Sequence, residues 1–105
     1  MTKWVDAGFV AELPEGEAVS IPVGRYMAAI GRTGDACFAV EDVCTHDGAE
    51  LVGGAVVGNE IVCPRHGARF CLRTGEALTP PAYEAIRVFE TKVENGRLWV
   101  RPSLH

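Results

Sequence analysis

The segment 43-VCTHDGAELVGGAVVGNEIVCPRHGARF-70 holds two of the chain's four cysteines and two of its three histidines. They form two tight pairs, Cys44-x-His46 and Cys63-x-x-His66, with 16 residues between His46 and Cys63. Thiolate and imidazole are the donors that hold transition metals, and each pair is short enough to sit on one loop. Whatever this chain folds into must therefore set two loops side by side, so that both pairs reach one centre.

Around that segment the sequence consists of short β-type runs broken by glycine and proline. Residues 17–23 alternate, with Val19, Ile21 and Val23 on one face. Residues 25–31 and 36–40 flank Thr33-Gly34-Asp35, which reads as a hairpin turn, and Gly58-Asn59 is a turn signal before a strand at 60–63. Thr74-Gly75 follows a strand at 69–72. Residues 86–94 and 97–101 flank Asn95-Gly96, the dipeptide best suited to a tight hairpin because both central positions need positive φ. Apolar residues nowhere sustain the i, i+3, i+4, i+7 pattern of an amphipathic helix. These features predict one all-β domain over residues 1–105, a sandwich or small barrel. Two polar, glycine-containing segments, 42–50 and 64–68, carry the Cys/His pairs and should project from sheet tips, with the loop ALTPPAY (77–83) placed to pack against them. The expected layout is a scaffold of about 1–41 and 84–105 with a site-bearing subdomain, about 42–83, inserted in it.

No apolar run approaches membrane-spanning length, and the N-terminal residues lack the apolar stretch of a secretion signal. A cytoplasmic location is the expectation, and there cysteines serve as thiols or metal ligands. A net charge of −4 argues against a nucleic-acid partner. The charge is uneven: residues 1–50 hold three Lys/Arg against nine Asp/Glu, residues 51–105 seven against five. Either the two halves interleave and cancel, or one surface is polarised toward a charged partner protein.

Two thiolates and two imidazoles could hold one tetrahedral zinc in a structural binding module. Zinc sites usually pair like with like, whereas here each loop supplies one cysteine and one histidine. A binuclear [2Fe–2S] cluster explains the mixing: if one iron takes both cysteines and the other both histidines, each loop must serve both ends. The residues CTH and CPRHG closely resemble the Rieske iron–sulfur signature, and RTGE, ALTPP and VENGRLWV are similar to that family as well, so the likeness spans essentially the whole chain. The resemblance implies a Rieske-type β scaffold, one [2Fe–2S] cluster per chain, Cys44 and Cys63 on the inner iron, and His46 and His66 on the outer iron near the surface. Gly48 and Gly67, lacking Cβ, would let backbone N–H groups approach the cluster sulfurs.

Respiratory-chain members of that family carry a disulfide between the cluster loops, and a serine and a tyrosine that donate hydrogen bonds to sulfur. The matching positions here are Ala49 and Arg65, and Ala68 and Phe70. Hydrogen bonds to sulfur favour the reduced state, so the resemblance implies a potential in the lower part of the family's span. Among single-domain members, the chain is most similar to the ferredoxin component of aromatic-ring-hydroxylating dioxygenase systems, with the small subunit of NADH-dependent nitrite reductase as the alternative. With His46 and His66 used, only His105 remains, too few for the two-histidine iron site of an oxygenase. No dinucleotide or phosphate loop is present. The reading is therefore a monomeric one-electron carrier, not an enzyme. Its partners would be a flavin-containing, NAD(P)H-dependent reductase and a terminal oxygenase. They would meet a transient docking face of His46, Asp47, Gly48, Arg65, His66, Gly67, Pro80 and Pro81. Cys37 and Cys71 read as buried strand thiols; Trp4, Trp99, Phe38, Phe70 and Phe89 as scaffold packing; Met27 as core; and His105 as a chain end or the start of an expression tag.

Overall fold

The computed structural model describes residues 3–34 and 36–103. Among these lie nine strands: β1 (Val5–Phe9), β2 (Ala18–Val23), β3 (Tyr26–Thr33), β4 (Ala36–Glu41), β5 (Val56–Val57), β6 (Glu60–Val62), β7 (Arg69–Cys71), β8 (Glu90–Glu94) and β9 (Arg97–Arg101), with a single three-ten turn at Val10–Glu12. They form three antiparallel sheets, ordered β1-β9-β8, β2-β3-β4 and β5-β6-β7. The all-β expectation holds.

The sheet β2-β3-β4 is covered on both faces. Ala28 and Ile30 of β3 and Ala39 of β4 face a cluster completed by Leu13, Val23, Phe89, Leu98 and Val100. Ala29, Phe38 and Val40 point the other way, into a cluster with Cys44, Leu51, Ile61, Cys63, Ala68 and Phe70. Successive side chains of a strand alternate between faces, so burial on both sides requires an uninterrupted apolar run, and β3 and β4 supply AAI and FAV. The second cluster lies beneath both loops that carry the Cys/His pairs. The floor of the site is thus also the core that joins β5-β6-β7 to the rest of the chain.

The Asn95-Gly96 turn forms between β8 and β9 with φ of 53° and 77°. The β3–β4 hairpin pairs Thr33 with Ala36, while Asp35 lies outside the described residues, as does His105. The strand expected at 86–94 is regular only from Glu90. Residues 86–89 instead cross between sheets: Ile86 N–H donates to the Gly75 carbonyl, Glu41 N–H to Arg87, and Phe89 N–H to Ala39. Their hydrogen bonds go to β4 and the 75 turn, which a period-2 pattern cannot reveal. On the face expected of β2, Val23 is buried, Ile21 half-buried and Val19 exposed. Met27 is exposed, not core, because its neighbours Ala28–Ile30 fill both faces and leave it at the sheet's end. Phe38, Phe70 and Phe89 are buried as expected. Trp4 is half-buried under Lys92 Nζ and the Arg101 guanidinium, 4.7 and 4.3 Å from the ring centre. The uneven charge is interleaved in part: Asp6–Arg97 at 2.9 Å, Glu41–Arg87 at 3.8 Å and Asp47–Arg65 at 3.6 Å join acids of the first half to bases of the second, whereas Arg32–Glu15, Arg69–Glu60, Lys92–Glu94 and Arg101–Glu90 pair within one half.

Gly54 marks where the chain returns from the first ligand loop. A Cβ there would collide with the carbonyl oxygen of Val62, which is backbone and leads directly into Cys63. Gly54→Ala should destabilise the protein by at least about 2 kcal/mol, since the Val62 backbone of β6 cannot yield without moving the loop that begins at Cys63. The expected readout is a lower urea midpoint at unchanged slope, and an unaltered midpoint would contradict this close approach.

Candidate metal centre

Two loops carry the four candidate ligands, and their backbones repeat one another. Cys44 N–H donates to Ala49 O at 2.7 Å, and Gly48 N–H donates back to Cys44 O at 2.7 Å. In the second loop Cys63 N–H donates to Ala68 O at 2.7 Å, and Gly67 N–H to Cys63 O at 3.0 Å. Each is a six-residue loop that opens on cysteine and has glycine fifth and alanine sixth. The glycines take φ of +79° and +76°, which a side chain would strain. What differs is the histidine, third in one loop and fourth in the other. The repeat therefore resides in the cysteine and glycine, and the histidine offset is left to serve the site.

The cysteines and histidines separate by depth. Cys44 and Cys63 are each 1% exposed and sit within hydrogen-bond reach of one another, whereas His46 and His66 are exposed, ring centres 5.0 Å apart and nearly perpendicular at 83°. Burial pushes the Cys44 thiol above its ordinary value, and Cys63 beside it adds to the rise. The N–H groups of His46 and Asp47 point at the same sulfur and favour the thiolate. Two buried thiols with donors aimed at sulfur suit a cation, because positive charge between them removes the cost of ionising both.

Asp47 bridges the loops at the surface. Its Oδ1 accepts from Ala49 N–H at 3.0 Å, and Oδ2 lies 3.6 Å from both Arg65 Nε and His66 Nδ1. The Ala49 N–H first, then Arg65 and the two imidazoles, hold this carboxyl below its usual value. His46, Asp47 and His66 offer ligand atoms within 4.8 Å of one another. The two thiols lie beneath that exposed trio, so the whole donor set has a sulfur end and a nitrogen end, which suits a binuclear centre better than a single ion.

The loop at 77–84 is fastened to both ligand loops. Thr45 Oγ1–H, from the residue between Cys44 and His46, donates to Glu84 O at 2.7 Å; Arg69 N–H donates to Thr79 Oγ1 at 3.0 Å, and Leu78 N–H to Arg69 O at 2.8 Å. Pro80 and Pro81, joined by a cis peptide, lie between the ties at Thr79 and Glu84. Thr45 and Thr79 escaped the sequence reading, since a hydroxyl that ties loops across 39 positions leaves no local signal. Tyr83, 82% exposed on the same loop, also went unnoticed.

Among known proteins, the Rieske [2Fe-2S] domain matches residues 3–90. The chain belongs to the Rieske family. The cofactor of this Rieske domain is a [2Fe–2S] cluster. A relative from Ralstonia sp, the ferredoxin component of naphthalene 1,2-dioxygenase/salicylate 5-hydroxylase systems, is 34% identical over 93% of this chain and 94% of its own. The 3-phenylpropionate/cinnamic acid dioxygenase ferredoxin subunit of Escherichia coli is 36% identical over 87% of this chain and 86% of its own. A solved complex of reduced oxygenase and oxidised ferredoxin in carbazole 1,9a-dioxygenase contains a chain that matches with TM-score 0.89 at 32% identity, covering 97% of each.

The other two cysteines of this Rieske domain are half-buried, not buried as expected, and differ from one another. Burial raises Cys37, whereas the Thr74 hydroxyl, then the N–H groups of Thr74 and Arg73, lower Cys71. Cys71 should therefore carry more thiolate near neutral pH and react first with iodoacetamide. The rate ratio should be about threefold for each unit by which the two thiols differ, because nucleophilicity falls as pKa falls. Timed mass spectrometry should show Cys71 modified first and Thr74→Val narrowing the gap; earlier modification of Cys37 would contradict it.

Proposed function

We propose that this chain is the ferredoxin component of a multicomponent aromatic-ring dioxygenase system. It would carry single electrons from a flavin-containing, NAD(P)H-dependent reductase to a terminal oxygenase. The observation that carries this reading is the depth ordering of the donors: two thiols sealed in the core and two imidazoles at the surface, on loops of repeated backbone form. In this reading Cys44 and Cys63 hold the inner iron, His46 and His66 hold the outer one, and residues 42–83 act as the cluster-binding unit. The cluster, when bound, supplies reversible one-electron chemistry.

The chain's own residues set where the electron passes and who receives it. Burial of Cys44 and Cys63 keeps water and partners from the sulfur end. The exposed edges of His46 and His66 leave one route in and out. Asp47, Gly48, Arg65, Gly67, Pro80 and Pro81 surround that edge as a docking face, and a transient redox encounter needs less than about 1,200 Å². Ala68 and Phe70 are fully buried and bring no hydroxyl toward the cluster loops, which supports a low potential suited to a flavin donor. The relatives at 34% and 36% identity are dioxygenase ferredoxins, which favours that assignment over a nitrite-reductase subunit. They serve different aromatic systems, so the substrate belongs to the oxygenase. In this reading the carrier would work as a monomer in the cytoplasm. Among the described residues no helix is long and apolar enough to cross a membrane.

Arg65 gives the test. Its side chain is 64% exposed, so its ion pair with Asp47 contributes only about 0–1 kcal/mol and its loss should leave the cluster in place. Arg65→Glu should keep the visible absorbance but slow reduction of a purified terminal oxygenase about tenfold at low ionic strength, with the difference shrinking as salt is added. An unchanged rate would remove Arg65 from the docking face. Failure of the unaltered protein to pass electrons to any such oxygenase would remove the function.

A further inference from the structure

The two ligand loops share their inner hydrogen bonds but are closed at the base by different devices. The second loop is the tip of a β-hairpin: Val62 of β6 pairs with Arg69 of β7 immediately outside Cys63 and Ala68. The first loop has no such ladder. Where β4 ends, Glu41 pairs with Ala28 of β3 and donates its N–H to Arg87, not to the chain returning from the loop. Among the described residues no backbone hydrogen bond joins residues 41–43 to residues 50–53.

The closure there is made by a side chain. Asp42 Oδ1 accepts from Leu51 N–H at 2.7 Å and from Val52 N–H at 3.0 Å, across nine and ten positions. Asp42 is 8% exposed, the one buried charged residue among those described, and its own N–H is spent on Met27 O at 2.9 Å. Leu51, fully buried, packs in the same cluster as Cys44 and Cys63. A buried carboxylate is costly unless its lone pairs are used, and a buried N–H left without a partner is costly as well. The arrangement gives both N–H groups a partner and uses the lone pairs of Oδ1, at the root of the loop that presents Cys44 and His46.

We infer that Asp42 is a positioning residue for the metal centre, its carboxylate standing in for the ladder pair that closes the other ligand loop. This rests on the ligand assignment proposed above, because the loop it closes delivers one donor to each iron. Loosening it would disturb both ends of the cluster at once while leaving the Cys63/His66 loop closed by its own strands. The role requires an acceptor at Oδ1 and not a charge, so asparagine should serve and alanine should not.

The protein purified with its cluster provides the test. Asp42→Ala should lose visible absorbance to a chelator about 10–100-fold faster than the unaltered protein, if the 10–100-fold loss of metal affinity that follows removal of groups supporting metal ligands is expressed in the rate of loss. Its reduced-state EPR lines should broaden, and Asp42→Asn should restore both properties. Equal cluster lifetime and equal lines in Asp42→Ala would overturn the inference, as would an asparagine variant as impaired as alanine. If the alanine variant fails to fold, amide exchange at Leu51 and Val52 decides instead: slow exchange in both the unaltered protein and Asp42→Asn supports the clip, and unprotected exchange in the unaltered protein refutes it. That measurement needs no cluster, so absence of iron and sulfide from the unaltered protein would sink the ligand assignment while the Asp42 clip is still judged on its own.

Discussion

Two thiols buried side by side under aliphatic and aromatic side chains are the constraint from which the rest of this structure follows. Cys44 and Cys63 cannot both ionise in that setting unless positive charge lies between them. The fold nevertheless spends two glycines in left-handed conformations, and four short backbone hydrogen bonds, to hold the two sulfurs together. A packed core alone would have no use for such loops, since two valines would fill the same space without calling for glycine at two fixed positions. Under the ligand assignment proposed above, the arrangement is a socket for the [2Fe–2S] cluster of this Rieske domain.

The surrounding architecture answers a mechanical problem. A centre built from two separate loops is only as well defined as the floor beneath them. That floor is the cluster of Phe38, Val40, Leu51, Ile61 and Phe70, which one face of β3 and β4 shares with both loops. The central sheet therefore couples the scaffold to the site through packing, while the 77–84 loop, tied at Thr45 and Arg69, limits movement from the outside. What remains open is the imidazole edge. An electron carrier needs that combination: rigid geometry at the sulfur end, so that little rearrangement accompanies a change of charge, and exposure at the nitrogen end, so that brief contact suffices.

Much of this was legible in the sequence because it is local. The Cys/His spacing, the glycines that follow, and the Asn95-Gly96 turn are written over two to six residues, and each appears where such spacing requires. The all-β class was likewise readable from short runs between turns. What escaped reading was the non-local part. Residues 86–89 look like the first half of a long strand, yet their partners lie in β4 and the 75 turn. Met27 looks like core by residue type, but its neighbours already saturate both faces of the sheet. Asp42 looks like any polar residue opening a loop; that it is buried and accepts two N–H groups from nine and ten residues away depends on how the chain returns. Hydroxyl and carboxylate ties across a fold carry no periodicity, and so no pattern in a single chain announces them.

The most direct measurement is electron–nuclear double resonance on the reduced protein, produced with ¹⁵N-labelled histidine, alongside its iron and acid-labile sulfide content. The account predicts two irons and two sulfides per chain. It also predicts strong couplings from two imidazole nitrogens, one of which disappears when His66 is replaced by cysteine. Iron without nitrogen coupling, or protein holding neither iron nor sulfide when prepared without oxygen, would contradict it.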